Sequence, residues 1–150
     1  MEQMISLTIE GTVAIATLCR PPVNAINEEW VARLDAVLDE VERADQVGVL
    51  WFRSSERVFC AGADLALMHA LFDSAEGRTR MIDLTRRMQA VFARLESLPK
   101  VTLAEIGGAA MGGGFELALA CDLRLVSESA RIGLPEARLG LLPAAGGTQR

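Results

Sequence analysis

The stretch VTLAEIGGAAMGGGFELALACD, residues Val101–Asp122, decides the fold that this sequence predicts. Its first six residues, Val101–Ile106, are mostly apolar, which is typical of a strand buried on both faces of a parallel sheet. Two glycines and then three more interrupt the run, and Phe115–Cys121 then predicts a buried helix. This order leaves the N–H groups of the first helical turn free to bind an anion or a developing oxyanion.

Two glutamates are candidates for chemistry in this half of the chain. Glu116 lies at the start of the predicted helix among apolar residues, where a carboxylate is costly to bury without a partner or a function. Glu136 lies in a Leu-Pro-Glu turn that is also apolar. If the two converge, they can share one water and divide acid and base work. The alternative is that Glu136 pairs with Arg131 or Arg138 at the surface.

Composition is typical of a globular protein and argues against several functions. Of 150 residues, 51% are hydrophobic and 23% are charged, which suits a single domain over residues 1–150. The net charge of −5 and the pI of about 4.9 argue against a nucleic-acid partner, which would need clustered Lys and Arg. No apolar run reaches the ~20 residues of a membrane span. No basic leader is present, so we expect a cytoplasmic protein without a membrane partner.

The three cysteines are widely spaced and fit neither a disulfide framework nor a zinc site. We interpret them as reduced, small hydrophobic residues. The sequence therefore predicts no metal ligand set.

The rest of the chain alternates β and α patterns. Ile5–Glu10 and Val13–Cys19 predict a hairpin, and Asn27 predicts the N-cap of an amphipathic helix that ends near Arg43. Further predicted elements are a strand over Val47–Phe52, a helix near Ala66–Phe72, a mobile loop over Asp73–Gly77, a long helix from Met81, a strand over Leu123–Val126, and the opening of a helix at Ala145–Arg150. This order predicts an α/β fold with a mostly parallel core sheet.

Three other features leave alternatives open. The first glycine turn, with Glu128 ~20 residues on, is one pattern of a dinucleotide site, but Gly108–Gly112 lacks a clean G-x-G-x-x-G. The small residues of Cys60–Asp64 expose a second set of N–H groups. These could complete an oxyanion hole, or the turn is an ordinary one capped by Asp64. The one histidine, His69, is interpreted as a solvated helix residue.

Five motifs, in this order and spacing, resemble those of the enoyl-CoA hydratase/isomerase superfamily, also called crotonases. They extend over nearly the whole chain and are far more specific together than any one of them alone. They are RPPVNAI (Arg20–Ile26), FCAGADL (Phe59–Leu65), GGAAMGGGFELALACD (Gly107–Asp122), GLPEARLGLLP (Gly133–Pro143) and GGTQR (Gly146–Arg150).

The resemblance implies a crotonase-like spiral of repeated ββα units, assembled as a homotrimer or a dimer of trimers. It also implies that each site binds an acyl-CoA thioester. By their places in the motifs, Ala63 and Gly113 correspond to the two N–H donors of the family's oxyanion hole. The positions that correspond to CoA-contacting and thioester-lining residues are Ala25, Ala61, Asp64 and Leu65.

This sequence has a glutamate at both hydratase positions, Glu116 and Glu136, so the resemblance implies hydration of a trans-2-enoyl-CoA to a 3-hydroxyacyl-CoA. Glu116 would activate the water and Glu136 would protonate the α-carbon, with no metal and no cofactor besides the CoA of the substrate. The alternatives are an isomerase of the same superfamily and a non-catalytic acyl-CoA-binding scaffold, which would need neither glutamate. Family chains continue past GGTQR into helices that build the trimer, and we expect this chain to lack them.

Overall fold

Strands and helices alternate along residues 4–150, the part of the chain that the computed structural model describes. In chain order the elements are β1 (Ile5–Glu10), β2 (Val13–Leu18), α1 (Glu28–Arg43), β3 (Val49–Ser54), α2 (Leu65–Phe72), α3 (Ala75–Glu96), β4 (Val101–Ile106), β5 (Ala110–Met111), α4 (Gly113–Leu119), β6 (Leu123–Val126), β7 (Ile132–Gly133) and a 3₁₀ helix (Glu136–Leu139). The predicted α/β class is confirmed.

The larger sheet has five strands in the order β1-β2-β3-β4-β6. β1 and β2 form the predicted antiparallel hairpin, with Glu10 opposite Val13. The pairs β2–β3, β3–β4 and β4–β6 are parallel, so the sheet is mostly parallel, as predicted. β5 and β7 form a second, two-stranded parallel sheet.

The chain winds as a spiral because the order strand, strand, helix repeats along it. It recurs as β1-β2-α1, as β4-β5-α4 and as β6-β7 with the 3₁₀ helix. Single bridges extend the smaller sheet, joining Cys60 to Ala110 and Ile26 to Ala63. The backbone after Cys60 and the backbone after Ala110 consequently lie side by side, at the edge where the candidate site forms.

Helices α1 and α3 pack together and bury their apolar stripes in the core. Asn27 caps α1 as predicted, because its Oδ1 accepts from the Trp30 N–H at 2.8 Å. Arg94 of α3 ties the two helices with ion pairs to Asp35 (2.7 Å) and Asp39 (2.6 Å) of α1, and with a further short contact to Glu42.

The mobile loop predicted over Asp73–Gly77 is wrong, because α3 already begins at Ala75 rather than near Met81. Ser74 is its N-cap, and its Oγ accepts from the Gly77 N–H at 2.9 Å. The first turns of α3 lack a strong apolar period, so the cap was the only local signal for this start.

β4 lies inside the sheet between β3 and β6, but the expectation that both of its faces are buried is wrong. Thr102, Ala104 and Ile106 are buried, whereas Val101 is 47% exposed and the other two residues are partly exposed. The strand alternates because, among the described residues, the helices cover only one face of the sheet.

Other elements also differ from the sequence prediction. The strand expected over Val47–Phe52 is observed at Val49–Ser54. Ala145–Arg150 forms turns rather than a helix, because Gly146 has a φ of +112°, far from helical values.

Candidate active site

The glycine turn leads into α4 as the sequence predicts, but the helix spans Gly113–Leu119 and so begins and ends two residues earlier than the predicted Phe115–Cys121. The carbonyl of Gly112 accepts from the N–H groups of Phe115 (2.8 Å) and Glu116 (2.9 Å), which closes the first helical turn. The N–H of Gly113 itself donates to no residue in the described part of the chain. It is therefore available to a ligand.

The N–H of Ala63 lies beside that of Gly113. The Ile26 N–H donates to the Gly62 carbonyl at 2.8 Å, and the Ile26 carbonyl accepts from the Asp64 N–H at 2.9 Å. The Ala63 N–H therefore points away from Ile26, and it donates to no acceptor among the described residues. A Cβ placed on Gly113 would lie 3.9 Å from the Ala63 nitrogen. A Cβ placed on Gly62, whose φ is +95°, would lie 2.7 Å from the Met111 carbonyl oxygen. Glycine at 62 therefore lets the two backbone segments approach.

Glu116 is almost completely buried, at 2% exposure, one turn into α4. Its Oε1 accepts from the N–H groups of Ala145 and Gly147, each at 2.8 Å. Its Oε2 accepts no hydrogen bond from the described residues. One carboxyl oxygen is therefore fixed by the backbone, and the other is free for a ligand.

Several opposing effects act on the pKa of Glu116, and the net result is an increase. Burial raises the pKa most, because it disfavours the charged form. The N–H donors of Gly147 and Ala145 lower it, the negative charge of Glu136 raises it, and the positive charge of Arg150 lowers it. A carboxyl whose pKa is raised is a stronger base when it is ionised.

The structure brings Glu136 to the same cavity as Glu116. The cavity measures about 690 Å³, and Ala63 and Gly113 also line it. Glu136 opens the 3₁₀ helix, and its Oε2 is buried with no hydrogen-bond partner among the described residues. Among the described residues, Glu136 forms no ion pair with Arg131 or Arg138. The structure therefore does not adopt the alternative in which Glu136 pairs with an arginine at the surface.

A second hollow, of about 320 Å³, is also lined by Ala63. Pro21 and Pro22 of the first loop form part of its wall. The predicted CoA-contacting and thioester-lining positions all line this hollow: they are Ala25, Ala61, Asp64 and Leu65. The last three also line the larger cavity, so the two spaces meet at the backbone of Ala63.

Asp64 has both carboxyl oxygens engaged. Oδ1 caps α2 by accepting from the N–H groups of Ala66 (3.1 Å) and Leu67 (3.2 Å), and Oδ2 pairs with Arg20 Nη2 at 2.8 Å. The Arg20 guanidinium holds the pKa of this carboxyl below its usual value. The contacts of Asp64 therefore show the capping role that the sequence offered for it. Because both of its oxygens are engaged, Asp64 shapes the wall of the hollow and is not available as a base.

A protein-family model described as "Enoyl-CoA hydratase/isomerase" matches residues 8–150. This chain belongs to the enoyl-CoA hydratase/isomerase family. A Bacillus subtilis protein named "Probable enoyl-CoA hydratase" is 40% identical over 146 residues, which are 97% of this chain and 55% of the relative. The "Short-chain-enoyl-CoA hydratase" of Clostridium acetobutylicum is 40% identical over 148 residues, again 97% and 55%.

The solved structures of this family have the same fold. The crystal structure of an enoyl-CoA hydratase from Bacillus anthracis superposes with a TM-score of 0.88 at 33% identity, over 98% of this chain and 56% of the other. The crotonase fold predicted from the motifs is therefore confirmed. The chain spans about half the length of the curated relatives it matches.

Sequence reasoning missed three features in and around the candidate site. It did not find the Arg20–Asp64 pair, in which Arg20 Nη1 also donates to the Ala25 carbonyl at 2.5 Å. It did not find Asn24, which is fully buried and donates to the Phe59 carbonyl at 2.9 Å. It also assigned Ala145–Arg150 to a helix, whereas two N–H groups of that segment bind Glu116. The signal for the first two was the RPPVNAI motif itself.

The other candidates lie outside the candidate site. Glu128 is exposed in a turn and lines neither the cavity nor the hollow, so no ribose-binding acid accompanies the glycines. His69 is exposed on α2. Cys60 is buried, and burial raises the pKa of its thiol to about 12, which makes it unreactive.

Over residues 4–150, none of the helices has both the length and the apolar composition that crossing a bilayer requires. The same residues contain no group of three or more His, Cys, Asp or Glu side chains arranged to hold a metal ion.

Proposed function

We propose that this protein is an enoyl-CoA hydratase, which adds water across the double bond of a trans-2-enoyl-CoA to give a 3-hydroxyacyl-CoA. One observation carries the proposal: Glu116 and Glu136 line the same cavity as the unbonded N–H groups of Ala63 and Gly113. An acid–base pair and two backbone donors at one place are what the reaction needs.

The two N–H groups form the oxyanion hole in this mechanism. Addition of hydroxide to the β-carbon moves negative charge onto the thioester oxygen, and Ala63 and Gly113 donate to that oxygen. Gly113 adds the positive end of the α4 dipole. Losing one such donor typically costs about 3 kcal/mol of transition-state stabilisation.

The two carboxyl groups move the protons. Glu116, held through Oε1, takes a proton from water with its other oxygen as the water bonds to the β-carbon. Glu136 gives a proton to the α-carbon. Each turnover leaves Glu116 protonated and Glu136 ionised, so one proton returns from Glu116 to Glu136 through solvent before the next cycle. No metal or redox cofactor takes part, and CoA is part of the substrate.

The two spaces that share Ala63 fit the two parts of an acyl-CoA. The larger cavity has an apolar wall, to which Leu67, Met68 and Met88 contribute, and it suits the acyl chain. The smaller hollow, lined by Ala25 and Ala61, suits the CoA arm next to the thioester.

The test is a hydration assay on trans-2-enoyl-CoA substrates of graded chain length, using the full-length protein. We expect loss of the enoyl absorbance and formation of the 3-hydroxyacyl-CoA. Migration of the double bond without addition of water would instead identify an isomerase. Binding of the ester without any turnover would identify a scaffold.

The same proposal includes the organisation of the protein. Residues 1–150 act as one crotonase-like domain, and the protein works in the cytoplasm as a homotrimer or a dimer of trimers without nucleic acid. Apolar side chains are exposed on β6, and either the rest of the full-length protein or a neighbouring subunit would cover them: they are Leu123 (56%), Leu125 (61%) and Val126 (46%). Light scattering of the full-length protein measures the oligomer, and a monomer at working concentration would contradict this part.

A further inference from the structure

Backbone N–H groups of the segment Ala145–Arg150 bind the Glu116 carboxyl, and the side chain of Arg150 in turn binds the backbone of that segment. The two N–H groups that reach Glu116 Oε1 are those of Ala145 and Gly147. Neither residue lies in a helix or strand, so their positions depend on what fixes the turn. Arg150 Nη1 donates to the Ala145 carbonyl oxygen at 3.1 Å, on the same residue whose N–H binds the carboxyl.

A second set of contacts fastens this arginine to α3. Nε and Nη2 of Arg150 donate to Oε2 of Glu96, the last residue of α3, at 3.0 and 2.7 Å. The Arg150 side chain is only 7% exposed, so the pair is better shielded from water than an ordinary surface ion pair. Gln89 of α3 also donates to the Ala144 carbonyl at 2.7 Å. Helix α3 is therefore the frame to which the turn is attached.

The two glycines of the segment make room for these contacts. Gly146 has a φ of +112°, and a Cβ there would lie 1.8 Å from Arg150 Nη1. A Cβ on Gly147 would lie 3.0 Å from Glu116 Oε1. The absence of a side chain at Gly146 thus leaves room for the Arg150 guanidinium, and its absence at Gly147 leaves room for the Glu116 carboxyl.

We propose that Arg150 and Glu96 are positioning residues for Glu116, acting through the N–H groups of Ala145 and Gly147. This rests on the proposed function, in which ionised Glu116 takes a proton from water. N–H donation to a carboxylate favours its charged form, so a loosened turn raises the pKa of Glu116 further and misplaces its oxygens. Arg150 lines neither cavity nor hollow, so its loss affects catalysis more than substrate binding.

Other charges also act on Glu116, and the test separates them from the turn. The charged residues that line the same cavity are Asp64, Arg78, Arg86 and Glu136. Removing the negative charge of Glu96 would by itself lower the pKa of Glu116. Loosening the turn would raise it. The two mechanisms therefore predict opposite shifts for one variant, Glu96→Ala.

The experiment measures kcat and KM for enoyl-CoA hydration across pH for the full-length wild type, Glu96→Ala and Arg150→Lys. We expect Glu96→Ala to lower kcat about 10- to 100-fold with KM nearly unchanged. The acid limb of kcat/KM should move to higher pH by roughly half a unit to one unit, the equivalent of one hydrogen bond. Arg150→Lys keeps the positive charge but loses the planar guanidinium, so the acid limb of its kcat/KM profile should also move to higher pH. Glu96→Gln retains an acceptor and should recover part of kcat.

Glu40→Ala is the matched control, because Glu40 pairs with Arg33 on the surface of α1 at 2.6 Å. Its side chain is 50% exposed, against 54% for Glu96. It should leave both constants unchanged. If the wild type hydrates enoyl-CoA but Glu96→Ala leaves kcat unchanged or moves the acid limb down, the positioning role is overturned and the hydratase function stands. If Glu96→Ala does not fold, Arg150→Lys decides by the same two readouts. A wild type without hydratase activity overturns both proposals.

Discussion

Glu116 and Glu136 face one cavity, but the chain holds their carboxyl groups in opposite ways. Glu116 is 2% exposed in α4, and one of its oxygens accepts from two backbone N–H groups at 2.8 Å. Glu136 opens a 3₁₀ helix in which no residue is buried, and its Oε2 has no partner among the described residues. The backbone therefore fixes one oxygen of the Glu116 carboxyl, whereas the Glu136 carboxyl belongs to a short, exposed 3₁₀ helix.

The difference shows how two like groups can be given unlike roles. A carboxylate oxygen that accepts two N–H bonds cannot rotate freely, so Glu116 suits the holding of a water at a fixed place. The free oxygen of Glu136 can meet a substrate atom that changes position during the reaction. The N–H donors also favour the ionised form of Glu116, while burial and the charge of Glu136 oppose it.

The largest effect we predict comes from neutralising either carboxyl. Glu116→Gln and Glu136→Gln should each lower kcat for hydration by about 10²- to 10⁴-fold, the usual contribution of a general acid or base. KM should change little, because both groups act chiefly in the transition state. Steady-state kinetics on a trans-2-enoyl-CoA measure both constants.

Glu105→Gln is the control for these two variants, because Glu105 lies on β4 and lines neither the cavity nor the hollow. It should behave as the wild type. A protein in which only Glu136→Gln is inactive, and which shifts double bonds without adding water, is an isomerase. Unchanged kinetics in both variants would show that the two carboxyls do not divide the chemistry.

The parts of this site that the sequence predicted are those with local signals. A helix, α4, follows the glycine turn because an apolar helical run comes directly after it, and Asn27 caps α1 through its own side chain. The convergence of Glu116 and Glu136 came from the family motifs and not from spacing alone. Residues that lie 20 positions apart on separate elements meet only through the winding of the spiral.

The parts that the sequence missed depend on contacts between distant segments. The N–H groups of Ala145 and Gly147 carry no side-chain signal, and Arg150 reaches Glu96 across 54 positions of sequence. The exposed side of β4 was missed because an apolar strand has the same pattern whether or not a layer covers it. The sequence shows the glycine pairs, but it does not show which atoms of distant residues approach the space that a side chain would occupy.

A smaller effect should follow from crowding the fixed carboxyl. Gly147→Ala places a Cβ 3.0 Å from Glu116 Oε1 and Cγ, so the carboxyl must move from its N–H donors. We expect kcat to fall about 10-fold, the cost of a small misplacement near the chemistry, with KM preserved. Gly48→Ala is the control, since a Cβ there meets nothing within 4 Å. Wild-type kcat in Gly147→Ala would show that Glu116 does not need this anchor.

The smallest effect we predict is on stability, where Glu116 should differ in sign from Asp64. The folded-state pKa of Glu116 is raised, mainly by burial, so its ionised form destabilises the folded state at pH above that value. The pKa of Asp64 is lowered by Arg20, so its ionised form stabilises the folded state, and this stabilisation is lost as pH falls through the lowered pKa.

At neutral pH, Glu116→Gln should raise the thermal midpoint by a few degrees and Asp64→Asn should lower it. Asn can still cap α2, so the second variant isolates the ion pair. Both differences from the wild type should shrink in acid, as Glu116 and then Asp64 are protonated. Thermal unfolding measured across pH checks this, and a Glu116→Gln protein less stable than the wild type at neutral pH would mean that the two N–H donors outweigh burial.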